Sequence, residues 1–463
     1  MDRFSAAVAR LLSVRIISNG IWALSGKVII AISSLAINAL LARLLSPAEM
    51  GIYFLLMTLV AALAMAAQLG LNHVVVRMIA EALGKNDPSA AKSAVRAVAL
   101  YGFIGAALAA ASVGGLPGQW LATEVFDSQL MRGALGAAAM LVFFAGLQSL
   151  LGEALRGFHD VPRATIVGGL LSSLSFVLAL AIIFALGTRL SLTAVLWVNV
   201  VGFAVAVLAG GFWLMRKLVH VKPHNSPTGR RVLSLAAPMF LVNIFVFLLM
   251  QADLWLVGMY RPPAEVAVYG AAARLAATTM LITSLLYAVL PPYIAEKFAR
   301  QEIGALQELL RSAATATTLL ALPWVAMLVI FAPQLLSLVY GPYYASGHSV
   351  LVLLSLGLLS NVLTGMRGYV LLMTGHERAL LVLTAISSAF HIALCWLAAK
   401  YLNSNWVALA AMLATIVHCT AEMLLVKRRL GIWTFFSFRA VETIQAYLLR
   451  QMQEKRTRIG KNH

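Results

Sequence analysis

The side chains that could do chemistry are polar groups set inside long apolar runs: Lys27, Asn38, Asn243, Asp253, Arg274 and Arg367. A charge at membrane depth costs at least a few kcal/mol, so each predicts a wet cavity or a dedicated partner. Lys27, Ser34 and Asn38 recur at helical spacing on one face. That stripe is read as facing water, in preference to a lysine snorkelling to the interface. Arg274 sits in an Ala- and Thr-rich stretch that leaves room for water, and it too is assigned to a cavity. Ser360, Thr364 and Arg367 share a further face, with snorkelling of Arg367 as the competing reading. Cations in such a place can hold an anionic group without making bonds. Trp22, Tyr53, Asn38, Asn199 and Asn243 add aromatic faces and amides to the polar inventory of the same runs. Asp253 is either half of a structural pair with Arg274 or the carboxylate that takes up a coupling ion.

Other constellations exclude more than they suggest. His418 and Glu422 lie one turn apart, with His391 upstream; helix packing is favoured over a proton relay, and the spacing makes no metal site. Glu153 beside Gln148 reads as an interfacial anchor. Cys395 and Cys419 fall inside apolar runs and read as small buried hydrophobes. No nucleophile–base set, paired carboxylates or phosphate-cradling Gly-Lys-Ser/Thr loop is present, so neither catalysis, ATP hydrolysis nor a cofactor is expected.

These residues must be positioned by membrane helices. The chain has 463 residues, 61% of them hydrophobic and only 11% charged. Apolar stretches long enough to span a bilayer recur throughout, continuous rather than alternating, which predicts an all-α polytopic membrane protein and excludes a barrel. About twelve spans are expected, at 16–41, 50–69, 93–116, 129–155, 165–186, 190–214, 233–260, 264–290, 313–331, 350–373, 379–399 and 405–426. The second and eighth are expected to run on as amphipathic ends near 74–79 and 291–299.

The net charge of +18 follows the membrane rather than nucleic acid. Lys and Arg outnumber those of the opposite gaps by about fivefold in one set of gaps plus the termini, which places both termini in the cytoplasm. Residues 1–15 read as a short interfacial helix without a cleavage site. The chain also repeats: Pro47-Ala48-Glu49 with Tyr53, then Ile79-Ala80-Glu81, returns as Pro263-Ala264-Glu265 with Tyr269, then Ile294-Ala295-Glu296. The offset is roughly 215 residues, close to half the chain. The expected organisation is a six-helix lobe at 1–215, a basic linker at 216–231, a second six-helix lobe at 232–426 and a basic tail at 427–463. The tail is read either as lying on an anionic leaflet or as simply solvated.

The stretch 41–77, with Leu44-Leu45-Ser46-Pro47, Gly51, Tyr53, Gly70-Leu71 and Arg77, resembles the start of bacterial Wzx-like polysaccharide flippases of the multidrug/oligosaccharidyl-lipid/polysaccharide exporter superfamily. Gln251-Ala252-Asp253, Gly258, Tyr269-Gly270 and Arg274-Leu275 look like the matching start of the second lobe. The resemblance implies two six-helix bundles forming a V around a central cavity, in a bacterial cytoplasmic membrane. It further implies a polyprenyl-diphosphate-linked oligosaccharide as cargo for O-antigen, capsule or exopolysaccharide, moved by alternating access and driven by H+ or Na+. Membrane lipids and a glycan polymerase machinery are the other partners it suggests. On that reading Lys27, Asn38, Asn243, Arg274 and Arg367 line the cavity, and Asp253 is the coupling site. Two other readings stay open: a multidrug cation antiporter of the same superfamily, against which the mainly basic intramembrane groups argue, and a membrane glycan polymerase or ligase, which would need a large catalytic outer loop. A major-facilitator transporter is disfavoured because the gap 72–92 lacks that family's Gly-x-x-x-Asp-Arg pattern.

Overall fold

Backbone groups in hydrocarbon must be bonded within the chain, and the apolar runs accordingly fold into helices. A computed structural model describes residues 14–437 apart from 69, 86, 189, 220 and 222–228. The expected interfacial helix at the N-terminus, the heart of the linker and the tail beyond 437 therefore lie outside the described residues. Among the described residues twelve helical segments are long and apolar enough to cross a membrane. The chain divides into two compact units, Met1–Phe247 with Val257–Gly270 and Val339–Gly341, and Leu248–Leu256 with Ala271–Leu338 and Pro342–His463.

The first unit holds α1 (Val14–Leu44), α2 (Pro47–Ala67), α3 (Leu71–Gly84), α4 (Pro88–Gly114), α5 (Gln129–Gly157), α6 (Val161–Ala185) and α7 (Leu192–Leu218). The sequence dictates where α2 begins. Ser46 caps it, Pro47 opens it, and Glu49 closes a capping box by accepting from the Ser46 amide at 3.0 Å. The other oxygen of Glu49 accepts from the amide of Leu192 at the head of α7, 3.3 Å away. The Pro-Ala-Glu motif thus knits two helix starts together. Because α2 is apolar all round it is buried over most of its surface, with Met50, Ile52, Phe54 and Leu56 sealed from solvent.

The amphipathic extensions expected after the second and eighth spans are separate helices. Gly70, at a φ of 77°, ends the second span before α3 begins. The apolar face of α3 (Leu71, Val74, Val75, Ile79) seats on Val98, Leu155 and Leu214. In the second unit α11 (Pro291–Ala299) does the same with Ile294 against Leu306, Leu310 and Val370. Each copy of the repeated motif is thus followed by one of these short helices, and the long helices α1 and α8 (Gly229–Tyr260), of 31 and 32 residues, precede the two copies.

The first unit also contains the start of the repeated segment, α9 (Pro263–Ala276) up to Gly270, packed on α2. A β-carbon on Gly51 would overlap the Pro263 carbonyl, and one on Gly270 would overlap the Phe54 ring. One on Gly258 would lie 2.6 Å from Leu55 Cδ2. The glycines that carry the family resemblance are thus contact points where two helices approach too closely for any side chain.

In the second unit follow α10 (Thr279–Val289), α12 (Ile303–Ile330), α13 (Ala332–Tyr340, its last residues in the first unit), α14 (His348–Thr364), α15 (Arg367–Met373), α16 (Glu377–Tyr401) and α17 (Ser404–Leu430). Two spans expected to be continuous are broken. The eighth stops at Ala276 and restarts at Thr279. The tenth stops at Thr364, turns at Gly365 with a φ of 68°, and restarts at Arg367.

Candidate functional site

The second break builds a buried polar cluster in the second unit. A helix end leaves carbonyls without amide partners, and these need donors when buried. Arg367, the first residue of α15, turns its guanidinium back onto the end of α14. One Nη donates to Thr364 Oγ1 at 2.8 Å, to the Gly365 carbonyl at 3.1 Å and to the Asn361 carbonyl at 3.3 Å. The other donates to Cys419 Sγ at 2.8 Å, and Glu422 Oε2 lies 2.7 Å from Nε. Both charged residues are inside the protein, at 3% and 6% exposure. Arg367 thus neither snorkels to the surface nor faces an open chamber; its charge is spent on a carboxylate and a helix terminus.

Glu422 extends the set. Its second oxygen lies 3.4 Å from His418 Nε2, one turn back on α17. His418 and His391 on α16 are near enough to interact electrostatically, as are His391 and Asp253 on α8. Asp253 is buried, and His391 is 2% exposed. Neither ring nitrogen of His391 has a hydrogen-bond partner among the described residues, nor does Nδ1 of His418. An unpaired buried polar group costs about 1–3 kcal/mol. Thr384, Ser387 and Ser388 line the same buried side of α16. Asp253, His391, His418, Glu422 and Arg367 are thus a set of buried ionisable groups within the second unit. Among the described residues no group of three or more His, Cys, Asp or Glu is placed to hold a metal ion.

The remaining sequence candidates are dispersed. Lys27 lies near the middle of α1 with its side chain exposed, without an ion-pair partner among the described residues, and Ser34 on the same face is also exposed. Asn38, by contrast, is buried and donates to the Ser34 carbonyl at 2.7 Å, so its amide is committed to its own helix. Asn243 on α8 is half-buried. Arg274 is half-buried in the last turn of α9, just before the break at Ala277–Thr278. There Thr278 accepts from Trp324 Nε1 at 3.0 Å. Tyr53 and Asn199 are buried in packing, and Trp22 is exposed. Gln148 is a structural group: it donates to the Val167 carbonyl and to Ser172 Oγ, at 2.8 and 2.9 Å, across the π-helical turn of α6. Glu153 pairs with Arg156 at 2.6 Å.

Sequence reasoning underrated Glu422, His418 and His391 and did not foresee the segment after α17. That segment, 431–437, is non-helical, with Ile432, Thr434 and Ser437 buried and Trp433 and Phe435 exposed. Thr434 Oγ1 donates to the Thr364 carbonyl at 2.8 Å and the Phe436 amide to Leu363 at 3.0 Å. It supplies the donors that the broken tenth span lacks. The cue was the alternation Ile-Trp-Thr-Phe, which reads equally well as an interfacial aromatic cluster.

Outside the spans one carboxylate is electrostatically tuned. Asp160 caps α6 and meets Lys217 Nζ at 2.8 Å and Arg163 at 3.0 Å. Burial pushes its carboxyl up, but the hydrogen bond and charge of Lys217, helped by Arg163, outweigh it and hold the group below the usual carboxylate range.

Comparison with known proteins follows from this architecture. Residues 16–298 match the family model described as "Polysaccharide biosynthesis protein". Residues 238–397 match the MatE family model. No curated protein matches the chain. Among solved structures, a multidrug resistance MATE family transporter of the MOP superfamily in its inward-facing conformation is similar at 17% identity and a TM-score of 0.67, over 89% of this chain and 98% of that one. A MOP superfamily transporter from Pyrococcus furiosus Vc1, described as having a binding pocket of reverse polarity, is similar at 18% identity and a TM-score of 0.64, over 90% and 95%. An outward-facing MATE family transporter gives 18% and 0.59, over 90% and 95%. At these identities the likeness is one of fold.

Proposed function

The chain belongs to the polysaccharide biosynthesis protein family, and from that premise we propose that it is a flippase for a polyprenyl-diphosphate-linked oligosaccharide. It works by alternating access, driven by an ion gradient, in a bacterial cytoplasmic membrane with both termini inside. The observation that carries the reading is the family match, which runs through the whole first repeat and the opening helices of the second. The charges agree with it. Lys27 and Arg274 are cations at membrane depth, each offered to a diphosphate, whereas Arg367 is already matched by Glu422. Asn38 and Asn243 are second-rank contacts for the glycan. Asp253, buried and within electrostatic reach of His391, is the group proposed to take up the coupling H+ or Na+. No catalytic step is assigned, because the transport of an intact lipid-linked glycan breaks no bond.

The test is genetic and direct. In cells dependent on this gene for surface glycan, Lys27→Ala and Arg274→Ala should each lower export by about tenfold or more, the worth of one charge-assisted hydrogen bond, with membrane insertion unchanged. Normal surface glycan in both variants would remove them from the transport path. The second reading, a multidrug cation antiporter, draws on the MatE match and the fold neighbours. The Pyrococcus furiosus transporter, described as having a pocket of reverse polarity that suggests a different function, supports the idea that this fold serves more than one function. Loss of drug resistance with intact glycan on deleting the gene would favour the antiporter.

A further inference from the structure

Away from the buried polar set, the second unit has a cleft of about 710 Å³ between the start of α16 and the end of α17. Its two ends differ in chemistry. One end is rimmed by Arg378 in the first turn of α16 and by Arg428 and Arg429 in the last turn of α17. All three side chains are exposed, and none makes an ion pair among the described residues. Arginines closing a helix C-terminus are expected, but Arg378 stands at a helix N-terminus, where the macrodipole disfavours a cation. The N-cap of α16, His376, gives no side-chain hydrogen bond to the helix, so the first-turn amides there have no side-chain cap either. Cations and helix amides therefore converge here, and the exposed Glu377 of the same turn makes no ion pair with the three arginines among the described residues.

The other end is apolar. Val382, Ile386 and Leu424 line it and are exposed, Ile386 at 63%. Ala379 and Ala421 lie in the lining between the two ends and keep it concave. Arg378 and Ile386 are about 12 Å apart along the helix axis, two turns and a little more. That is the span of a phosphate headgroup with the first methylenes of its acyl chain. A soluble anion would use only the arginines and leave the apolar wall bare.

We propose that this cleft binds one anionic phospholipid, its phosphate held by Arg378, Arg428 and Arg429 and an acyl chain laid along Val382, Ile386 and Leu424. The proposal is independent of what the protein transports. Its occupant is a resident bilayer lipid. Guanidinium pairs suit a phosphate because they bind it through two parallel bonds, which an ammonium cannot do.

The test uses the full chain purified in detergent, with dioleoylphosphatidylglycerol and dioleoylphosphatidylcholine as probes and native mass spectrometry as the readout. Phosphatidylglycerol should be retained in preference to phosphatidylcholine. The triple variant Arg378→Gln, Arg428→Gln, Arg429→Gln should weaken its binding by on the order of tenfold or more. A matched variant with Lys85, Arg96 and Arg216 changed to Gln, exposed cations of the first unit, should bind as the parent does. Ile386→Trp leaves every charge in place and fills the apolar end, so it should also weaken binding; it decides the matter if the triple variant does not fold. Equal retention of both lipids, or unchanged binding in Ile386→Trp, would overturn the proposal. Displacement by glycerol 1-phosphate at concentrations comparable to the lipid would overturn it in favour of a plain anion site. Stronger displacement by undecaprenyl phosphate than by unlabelled phosphatidylglycerol would overturn it in favour of the cargo lipid.

Discussion

Replacing Glu422 tests whether Arg367 is held by charge or merely by space. The two groups meet at 2.7 Å with both side chains almost completely out of solvent. In Glu422→Leu the guanidinium keeps its bonds to Thr364, Gly365, Asn361 and Cys419 but loses its counter-charge. Leaving one partner of such a buried pair uncompensated costs about 3–5 kcal/mol. Arg367→Leu should cost a similar amount, since Glu422 then keeps only His418 and the end of α14 loses its donors. The double variant removes both charges. What remains is the set of orphaned carbonyls at Asn361 and Gly365, about 1–3 kcal/mol. The double variant should therefore be more stable than the sum of the singles by at least about 2 kcal/mol, as expected for residues in contact. Reversible unfolding in mixed micelles across the four proteins measures this coupling. Additivity within about 0.5 kcal/mol would show that the pair is not what holds the broken helix, and the reading of the polar interior would fall with it.

Three further outcomes follow from the packing and the charges. Gly270→Ala drives a methyl group into the buried Phe54 ring and should destabilise the first unit by about 1–3 kcal/mol, seen as a lower midpoint of thermal unfolding, whereas Gly187→Ala, with open space beside it, should show only the cost of its positive φ. Gly365→Ala must strain a φ of 68° and bring its β-carbon to 2.8 Å from the Thr434 carbonyl oxygen, while Thr434→Val orphans the Thr364 carbonyl for about 1 kcal/mol; hydrogen exchange at the end of α14 should rise in both. Asp160 has a folded pKa below its unfolded value of about 3.9, so its contribution is complete above that value and lost as pH falls through the folded one. Unfolding midpoints from pH 6 down to pH 3 should therefore drop less steeply in Asp160→Asn than in the parent, by a small margin because the group is partly solvated.

The sequence alone determined the class, the number of spans and the repeat. Those depend on run length, on Pro-Ala-Glu starts and on the cost of unbonded backbone in lipid, all local or nearly so. It also singled out Arg367, Asp253 and Arg274 as anomalous, because a charge in an apolar run is visible without any structure. What it could not give was whom each charge meets. Arg367 and Glu422 are brought together by two helices far apart in the chain, and the motif glycines 51, 258 and 270 are explained only once α9 lies against α2. The breaks at Ala277–Thr278 and Gly365 were equally hidden, since apolar composition continues through both. At Gly365 the helix can stop because Arg367 and the segment 431–437 supply donors to the carbonyls the break exposes, while at Ala277–Thr278 the Thr278 hydroxyl donates to the Leu275 carbonyl and is itself held by Trp324; only the tertiary structure places Trp324 and the segment 431–437 within reach.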